Sequence, residues 1–256
     1  MMKMRNSSVL LLVLWSGIAL AQDLAVAAAA DLQFAFKDVA SQFEKDSGHH
    51  VQVTFGSSGN FFAQIQNGAP FDLFFSADSD YPKKLEAAGL TEPGSFYPYA
   101  IGKIVLWAPK ASALDLQRGL NVLLDPSIKK IAIANPEHAP YGRAAVAALK
   151  HENVYDQVSN KFVMGENISQ TATFVASGNA DVGIIALSLA LAPTMQNDGK
   201  YGEIPSADYP PLEQAAVILK SSKQKELARQ FMAFLQSPAV VQTMRRYGFM
   251  APNGAH

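Results

Sequence analysis

The segment from Leu24 to Gly89 alternates short apolar strands with amphipathic helices, and this alternation restricts the possible folds more than any other feature. A small apolar strand at 24–30 precedes a helix whose buried stripe runs over 32–43. Strands predicted at 51–55 and 72–76 are each followed by a further helical pattern. Three strand–helix units within about 70 residues are typical of a parallel sheet with right-handed crossovers.

The turn Gly56-Ser-Ser-Gly-Asn60 joins a strand to a helix and holds two hydroxyl groups but no lysine or arginine. A helix that begins in such a turn directs free backbone N–H groups and the positive end of its dipole at one point. Small anions bind at such helix N-termini. Ligands of parallel sheets bind beyond the carboxyl ends of the strands, where both this turn and Asp31 are expected to lie.

The rest of the chain repeats the strand–helix alternation. A strand at 101–108 leads into a middle region, 131–185, and a strand at 215–219 precedes two amphipathic helices. We therefore predict an α/β protein of two lobes with parallel-rich sheets, joined by two crossing strands and separated by a ligand cleft, with the last helices packed on the first lobe. The predicted first lobe comprises residues 22–103 and 218–256, and the second lobe comprises residues 104–217.

Residues 1–21 have the pattern of a secretory signal peptide. Lys3 and Arg5 precede an apolar core at Val9–Trp15, and Ala19-Leu20-Ala21 forms a small-residue cleavage site. The apolar core is too short for a membrane span. The pattern predicts export, with the periplasm as the destination of the mature chain.

The charge of the mature chain argues against nucleic acid as a partner. Without Lys3 and Arg5, 19 basic residues stand against 22 acidic ones, a formal charge of −3 that is scattered along the sequence. An anion site in such a chain must rely on local dipoles rather than on a long-range field. No cysteine is present, so no disulfide can form.

Four turns that precede predicted helices are candidates for one shared anion site. They are Ala30-Asp31, Ser57-Ser58, Pro140-Tyr141-Gly142 and Asn167-Ile168. Each offers unpaired backbone N–H groups, and together they could surround a tetrahedral oxyanion. Taken alone, each turn is more often an ordinary helix cap. A carboxylate at Asp31 would repel an anion, so we expect that side chain to cap its own helix while its N–H faces the ligand.

Catalytic and metal sites are poorly supported. Gly56-Ser-Ser-Gly59 lacks the spacing of a nucleophile elbow, and no P-loop is present. His49-His50 is more consistent with a surface turn than with a metal site. Asp78 is expected to cap a helix, and Arg143 is expected to be a solvated charge on a helix face rather than an anion ligand.

The whole mature chain resembles the periplasmic molybdate-binding proteins of ABC importers, a family with the type II periplasmic binding protein fold. The resemblance rests on several ordered motifs. They are Ala27-Ala-Ala-Ala-Asp-Leu32, Phe55-Gly-Ser-Ser-Gly59, Gly68-Ala-Pro-Phe-Asp-Leu-Phe-Phe-Ser-Ala-Asp78, Val105-Leu-Trp-Ala-Pro-Lys110, Asn135-Pro-Glu-His-Ala-Pro-Tyr-Gly142, Asp181-Val-Gly-Ile-Ile185 and Arg246-Tyr-Gly-Phe249.

The resemblance implies an oxyanion held by Asp31, Ser58, Tyr141 and Ile168, with Ala30, Ser57 and Asn167 as further candidates. Molybdenum would be present only inside the molybdate ion, and no cofactor is implied. This chain departs from the family pattern at Asp31, where many members have Ser or Asn. It also has Ala186 where many have Tyr, and the hydroxyl of Tyr141 is expected to replace the lost one.

The resulting hypothesis is a non-enzymatic, monomeric periplasmic receptor that binds molybdate, and also tungstate, and delivers it to an ABC permease. A first alternative is a receptor for another small anion, such as sulfate, phosphate or an organic acid. A remote alternative is a secreted serine hydrolase that uses Ser57 or Ser58.

Overall fold

The structure is a computed structural model that describes residues 23–252. The predicted signal peptide, residues 1–21, lies outside the described residues. No helix within residues 23–252 combines the length and apolar character needed to span a membrane.

Ten strands form two five-stranded sheets. The strands are β1 (Leu24–Ala29), β2 (Val51–Gly56), β3 (Leu73–Ser76), β4 (Tyr97–Gly102), β5 (Ile104–Pro109), β6 (Ile131–Ala134), β7 (Phe162–Gly165), β8 (Val182–Ala186), β9 (Gly199–Glu203) and β10 (Leu212–Ile218). The strand order is β2-β1-β3-β10-β4 in the first sheet and β7-β6-β8-β5-β9 in the second. In each sheet one strand, β10 or β5, is antiparallel to both neighbours, and the other pairings are parallel. The predicted parallel-rich α/β fold is therefore confirmed.

Ten α-helices cover the two sheets. They are α1 (Ala35–Ser47), α2 (Ser58–Gln66), α3 (Asp80–Ala87), α4 (Pro140–His151), α5 (Tyr155–Val158), α6 (Ile168–Ala176), α7 (Leu187–Ala190), α8 (Pro193–Asp198), α9 (Lys225–Phe234) and α10 (Pro238–Arg246). Short 3-10 helices cover Ala30–Leu32, Leu116–Leu124, Ser159–Lys161 and Ser206–Asp208. We call the first sheet with α1–α3, α9 and α10 the first lobe, and the second sheet with α4–α8 the second lobe.

Two helices begin elsewhere than the sequence pattern indicates. The chain makes a 3-10 turn at Ala30–Leu32 before α1 starts at Ala35, so Asp31 does not cap a long helix. In contrast, α4 already starts at Pro140, because proline is favoured in the first turn, where no N–H is needed. Tyr141 therefore lies inside the first helical turn rather than in a loop.

The crossing points between lobes differ from the predicted strands. The predicted strand at 101–108 is two strands, β4 and β5, which lie in different sheets on either side of Lys103. Strand β10 pairs only within the first sheet, so the chain returns to that sheet at Leu212, ahead of the predicted boundary between 217 and 218. Strand β9 was not predicted, because Gly199–Glu203 has no apolar alternation.

The last helices pack on the first lobe as expected. Phe36 and Phe43 of α1 stack edge-to-face on Phe231 of α9, with ring centroids 6.3 and 5.1 Å apart. Met244 of α10 joins the same buried cluster. The opposite face of the sheet is covered by α2 and α3 through a smaller cluster around Phe74. The carboxyl ends of the parallel strands thus remain open towards the second lobe.

Candidate anion-binding site

A small cavity lies between the lobes, at the carboxyl ends of β1, β2, β3, β6 and β7. It is lined by all seven residues predicted to bind the anion, namely Ala30, Asp31, Ser57, Ser58, Tyr141, Asn167 and Ile168. The rest of its wall is formed by Gly56, Ala77, Ala139 and Pro140. None of these lining residues is a lysine, arginine or histidine, so the only formal charge in the wall is the Asp31 carboxyl.

Four backbone N–H groups at the cavity belong to first helical turns, where no intrahelical acceptor exists. Ser58 and Ile168 are the first residues of α2 and α6, and Tyr141 is the second residue of α4. Asp31 is the second residue of the short 3-10 helix after β1. The three α-helices direct the positive ends of their dipoles at the cavity, which favours an anion there.

The side chains of Ser58 and Asn167 have different roles at the cavity. The Ser58 hydroxyl oxygen accepts a hydrogen bond from the Ala77 N–H at 2.9 Å, and it has no acceptor among the described residues. Its proton is therefore available to a bound anion. The Asn167 side chain accepts from the Gln170 N–H at 3.0 Å and so caps α6. Asn167 helps to place the Ile168 N–H rather than contacting the ligand through its amide.

The Asp31 carboxyl does not cap its helix as expected from the sequence. Its Oδ2 accepts hydrogen bonds from the Tyr141 hydroxyl at 2.9 Å and from the Gln214 Nε2 at 2.7 Å. Its Oδ1 is buried and has no hydrogen-bond partner within residues 23–252. Burial raises the pKa of Asp31 from 3.8 to about 6, although the hydrogen bonds from Gln214 and Tyr141 oppose this change.

The Tyr141 hydroxyl is committed to the protein rather than to a ligand. It donates to Asp31 and accepts from Gln214 Nε2 at 3.1 Å. Burial, and then the charge of Asp31, raise the pKa of Tyr141 well above its ordinary value, so the phenol stays protonated. The expectation that this hydroxyl would serve the anion is not met in this structure, and the contribution expected of Tyr141 is its backbone N–H.

Ser57 faces the second lobe. Its hydroxyl donates to the His138 carbonyl oxygen at 2.5 Å, and the His138 Nδ1 lies 2.9 Å from the same hydroxyl. Because the single hydroxyl proton goes to the carbonyl, Nδ1 must donate to Ser57 and cannot act as its base. The His138 Nε2 lies 3.5 Å from Glu166, which gives a Ser–His–Glu arrangement with the wrong proton direction for nucleophilic catalysis. This geometry counts against the hydrolase alternative.

Comparison with known proteins matches this fold and cavity to a family of transport proteins. Residues 24–250 match the family of bacterial extracellular solute-binding proteins. The chain belongs to this family. Two relatives are the molybdate-binding proteins ModA of Azotobacter vinelandii, 42% identical with 90% of each chain covered, and of Rhodobacter capsulatus, 37% identical with 93% of this chain and 94% of the relative covered. The solved structure of the Azotobacter vinelandii periplasmic molybdate-binding protein superposes with a TM-score of 0.85 at 38% identity, covering 90% of this chain and all of that one.

The two lobes of this solute-binding protein are joined across the cavity by side-chain hydrogen bonds. The Ser188 hydroxyl of the second lobe donates to the Asp31 carbonyl oxygen at 2.7 Å, and the Ser169 hydroxyl donates to Gln33. The Gly59 N–H donates to the His138 carbonyl oxygen at 2.9 Å. The structure is thus a closed form in which the first-lobe wall of the cavity is bonded to the second-lobe wall.

Arg143 belongs to the rim of this closed form, where its side chain is exposed as expected but also forms an ion pair between the lobes. Its guanidinium pairs with the Asp78 carboxylate of the first lobe and lies 5.5 Å from the centre of the Tyr81 ring. Asp78 also accepts from the Tyr81 N–H at 3.1 Å, which agrees with its expected role as a cap. Burial raises the pKa of Asp78, and the Arg143 charge opposes this.

Replacing Arg143 by Ala should weaken oxyanion binding of this solute-binding protein by no more than about fivefold, because partly exposed ion pairs contribute up to ~1 kcal/mol. The loss should shrink as the salt concentration rises. Titration calorimetry at low and high ionic strength measures both effects. Lys45→Ala, at an exposed position of α1, is the matched control. A loss of about a hundredfold at high salt would mean that Arg143 reaches the anion.

The buried residues that support the cavity wall through hydrogen bonds were not identified from the sequence. Gln214 is fully buried in β10, and its Oε1 accepts from the Tyr99 hydroxyl at 2.7 Å. The Tyr99 hydroxyl also lies 3.1 Å from the Ser76 carbonyl oxygen. Gln214 and Asp31 are 183 positions apart, so no local pattern links them. In the sequence, Gln214 is only a single amide beside an apolar strand.

Proposed function

We propose that this protein is a periplasmic receptor that binds molybdate, and also tungstate, and delivers the anion to the permease of an ABC importer. The observation that carries the proposal is the cavity at three helix N-termini, whose available donors are the N–H groups of Asp31, Ser58, Tyr141 and Ile168 and the Ser58 hydroxyl. The relatives of Azotobacter vinelandii and Rhodobacter capsulatus are molybdate-binding proteins, which supports this anion among small oxyanions.

The neutral donors suit an anion that must be released again. Backbone dipoles attract a desolvated oxyanion without a full countercharge, so the complex is held only while the lobes remain closed. The lobes close through a few hydrogen bonds, among them those from Ser188 and Gly59, and these can break when the protein docks on a permease. The signal peptide at residues 1–21 would place the receptor in the periplasm, and it would act there as a monomer without a cofactor.

The protein would perform no chemistry on the anion. The Ser57 hydroxyl donates its proton to a backbone carbonyl, and the Ser58 hydroxyl has no side-chain base among its described partners. Molybdenum would enter only inside the oxyanion, so we expect no residue to coordinate the metal directly. Sulfate, with shorter bonds, would leave some donors of the cavity out of reach.

A receptor for a protonated oxyanion such as phosphate is the second candidate. It is favoured by one observation, the Asp31 carboxyl in the cavity wall, because a carboxylate can accept a hydrogen bond from a protonated ligand.

Thermal unfolding in the presence of single anions tests the proposal. A ligand at about 1,000 times its dissociation constant should stabilise the folded state by about 4 kcal/mol and raise Tm by roughly 8–16 °C for a chain of this size. We expect molybdate and tungstate to do so at micromolar concentration, and sulfate and phosphate to have little effect. If only phosphate or sulfate stabilised the protein, that anion rather than molybdate would be the ligand.

A further inference from the structure

The cavity wall contains one carboxyl group, that of Asp31, and its ionised form has the same sign as the proposed ligand. Asp31 is 1% exposed and lines the cavity, and none of the other lining residues is charged. The nearest guanidinium, that of Arg143, is paired with Asp78 at the rim. An ionised Asp31 and an oxyanion would therefore share a poorly solvated space with no cation between them, which is strongly unfavourable.

The hydrogen bonds of Asp31 fit a neutral carboxyl group. Oδ2 accepts from both Tyr141 and Gln214, which suits the carbonyl-type oxygen of a carboxylic acid. Oδ1 is buried with no partner within residues 23–252, and it is the oxygen on which a proton can be placed without breaking any observed bond. The nearby backbone N–H groups of Asp31 and Leu32 favour the ionised form of this carboxyl, and burial outweighs them.

We propose that this protein takes up one proton together with its oxyanion, and that Asp31 Oδ1 carries this proton in the closed, occupied state. The inference rests on the proposed function as an oxyanion receptor. The proton comes from solvent when the lobes close and returns to solvent when the anion is released. A protonated Asp31 changes from a repelling charge into an additional hydrogen-bond donor in the cavity wall.

Burial acts in the direction that the inference requires. It raises the pKa of Asp31 to about 6 in the closed protein, and a dianion in the cavity would raise it further. When the lobes open, water reaches Asp31 and its pKa falls back towards the ordinary 3.8. Because the closed, occupied state binds more protons than the open one, anion affinity must decrease as pH rises from the ordinary pKa of 3.8 to the raised pKa of the occupied state.

Proton uptake by Asp31 has to be distinguished from proton uptake by other ionisable groups near it. Tyr141 and Tyr99 have pKa values raised well above the ordinary value by burial, so neither titrates in the neutral range. Asp78 is paired with Arg143. The His138 imidazole contacts the Ser57 hydroxyl at the edge of the cavity, and a His138 variant therefore serves as the control.

Calorimetric titration with molybdate at about pH 7.5, in buffers of different protonation enthalpy, measures the number of protons taken up. We expect close to one proton per anion for the natural protein, and an affinity that falls by up to about tenfold per pH unit above neutral. Asp31→Asn reproduces the shape and the donor of the neutral acid. It should take up no proton, and it should bind at least about tenfold more tightly than the natural protein at about pH 8.5.

His138→Asn is the matched control, and it should keep the proton uptake. Absence of uptake by the natural protein, or uptake that persists in Asp31→Asn, would overturn the inference. Asp31→Ser provides a second non-titrating variant if Asp31→Asn does not fold. If molybdate does not bind at any pH, the proposed function fails, and the uptake measured with tungstate or sulfate, whichever binds, still decides the proton coupling.

Discussion

Replacing Gly59 by Ala should lower oxyanion affinity by roughly tenfold to a hundredfold, because the added methyl group prevents the lobes from closing. A Cβ at this position would lie 2.6 Å from the His138 carbonyl oxygen, 2.8 Å from its Cα and 2.6 Å from the Tyr81 hydroxyl. The Tyr81 side chain can move aside, but the His138 backbone of the second lobe can retreat only if the lobes separate. The hydrogen bond from the Gly59 N–H to His138 would also be lost.

The same substitution should leave the unliganded protein at least as stable as before. Gly59 lies within α2, and alanine is favoured over glycine in a helix by about 1 kcal/mol. Calorimetric titration gives the loss of affinity, and small-angle X-ray scattering with and without molybdate shows whether the molecule still contracts. Asn60→Ala, at the exposed neighbouring position of α2, is the matched control. Normal affinity and normal contraction of Gly59→Ala would show that closure does not bring His138 to this helix.

Replacing Ser58 by Ala should weaken oxyanion binding by roughly tenfold to a hundredfold, since a hydrogen bond to a charged group contributes about 1.5–3 kcal/mol. The Ser58 hydroxyl is the only hydroxyl of the cavity wall whose proton has no acceptor among the described residues. Its loss would also leave the buried Ala77 N–H without its observed acceptor. Affinity should therefore fall and the free protein should be moderately destabilised.

Ser57→Ala separates ligand contact from lobe contact. Ser57 lies beside Ser58 in the cavity wall, but its hydroxyl donates to His138 across the lobes. We expect its removal to reduce affinity less than the removal of Ser58, by about the value of one neutral hydrogen bond, ~1 kcal/mol. Ser41→Ala, at an exposed position of α1, controls for the substitution itself. A larger loss of affinity for Ser57→Ala than for Ser58→Ala would mean that Ser57, rather than Ser58, donates to the anion.

Local sequence patterns were sufficient to predict which residues surround the cavity. Each of the predicted turns couples the end of a strand to the start of a helix, and in a parallel sheet these ends meet at one edge. The turns that contain Ser58, Tyr141 and Ile168 could therefore be named without knowledge of any long-range contact, although α4 begins earlier than its pattern suggested. The resemblance to the family then selected these residues within the turns. The strand-to-helix rule places the backbone N–H groups, which do not depend on side-chain direction.

Side-chain directions across the lobes could not be predicted in the same way. The Asp31 carboxyl was expected to cap a helix, but it meets Tyr141 and Gln214, which are 110 and 183 positions away. Arg143 is exposed as expected, but its pairing with Asp78 on the opposite lobe was not predicted. These contacts form only when distant segments come together in the folded protein. The hydrophobic periodicity of either segment does not predict them.

The pairing of β10 beside β3 and β4 has a consequence for the order in which the chain folds. The first lobe needs residues from both ends of the sequence, because Phe36 packs on Phe231, whereas the second sheet is complete once Glu203 has been made. As the polypeptide emerges from a ribosome or a translocation pore, the second lobe can therefore fold first. Helix α1 and the strands of the first sheet can complete their packing only when α9 and α10 have been made, so the first lobe is finished after the second.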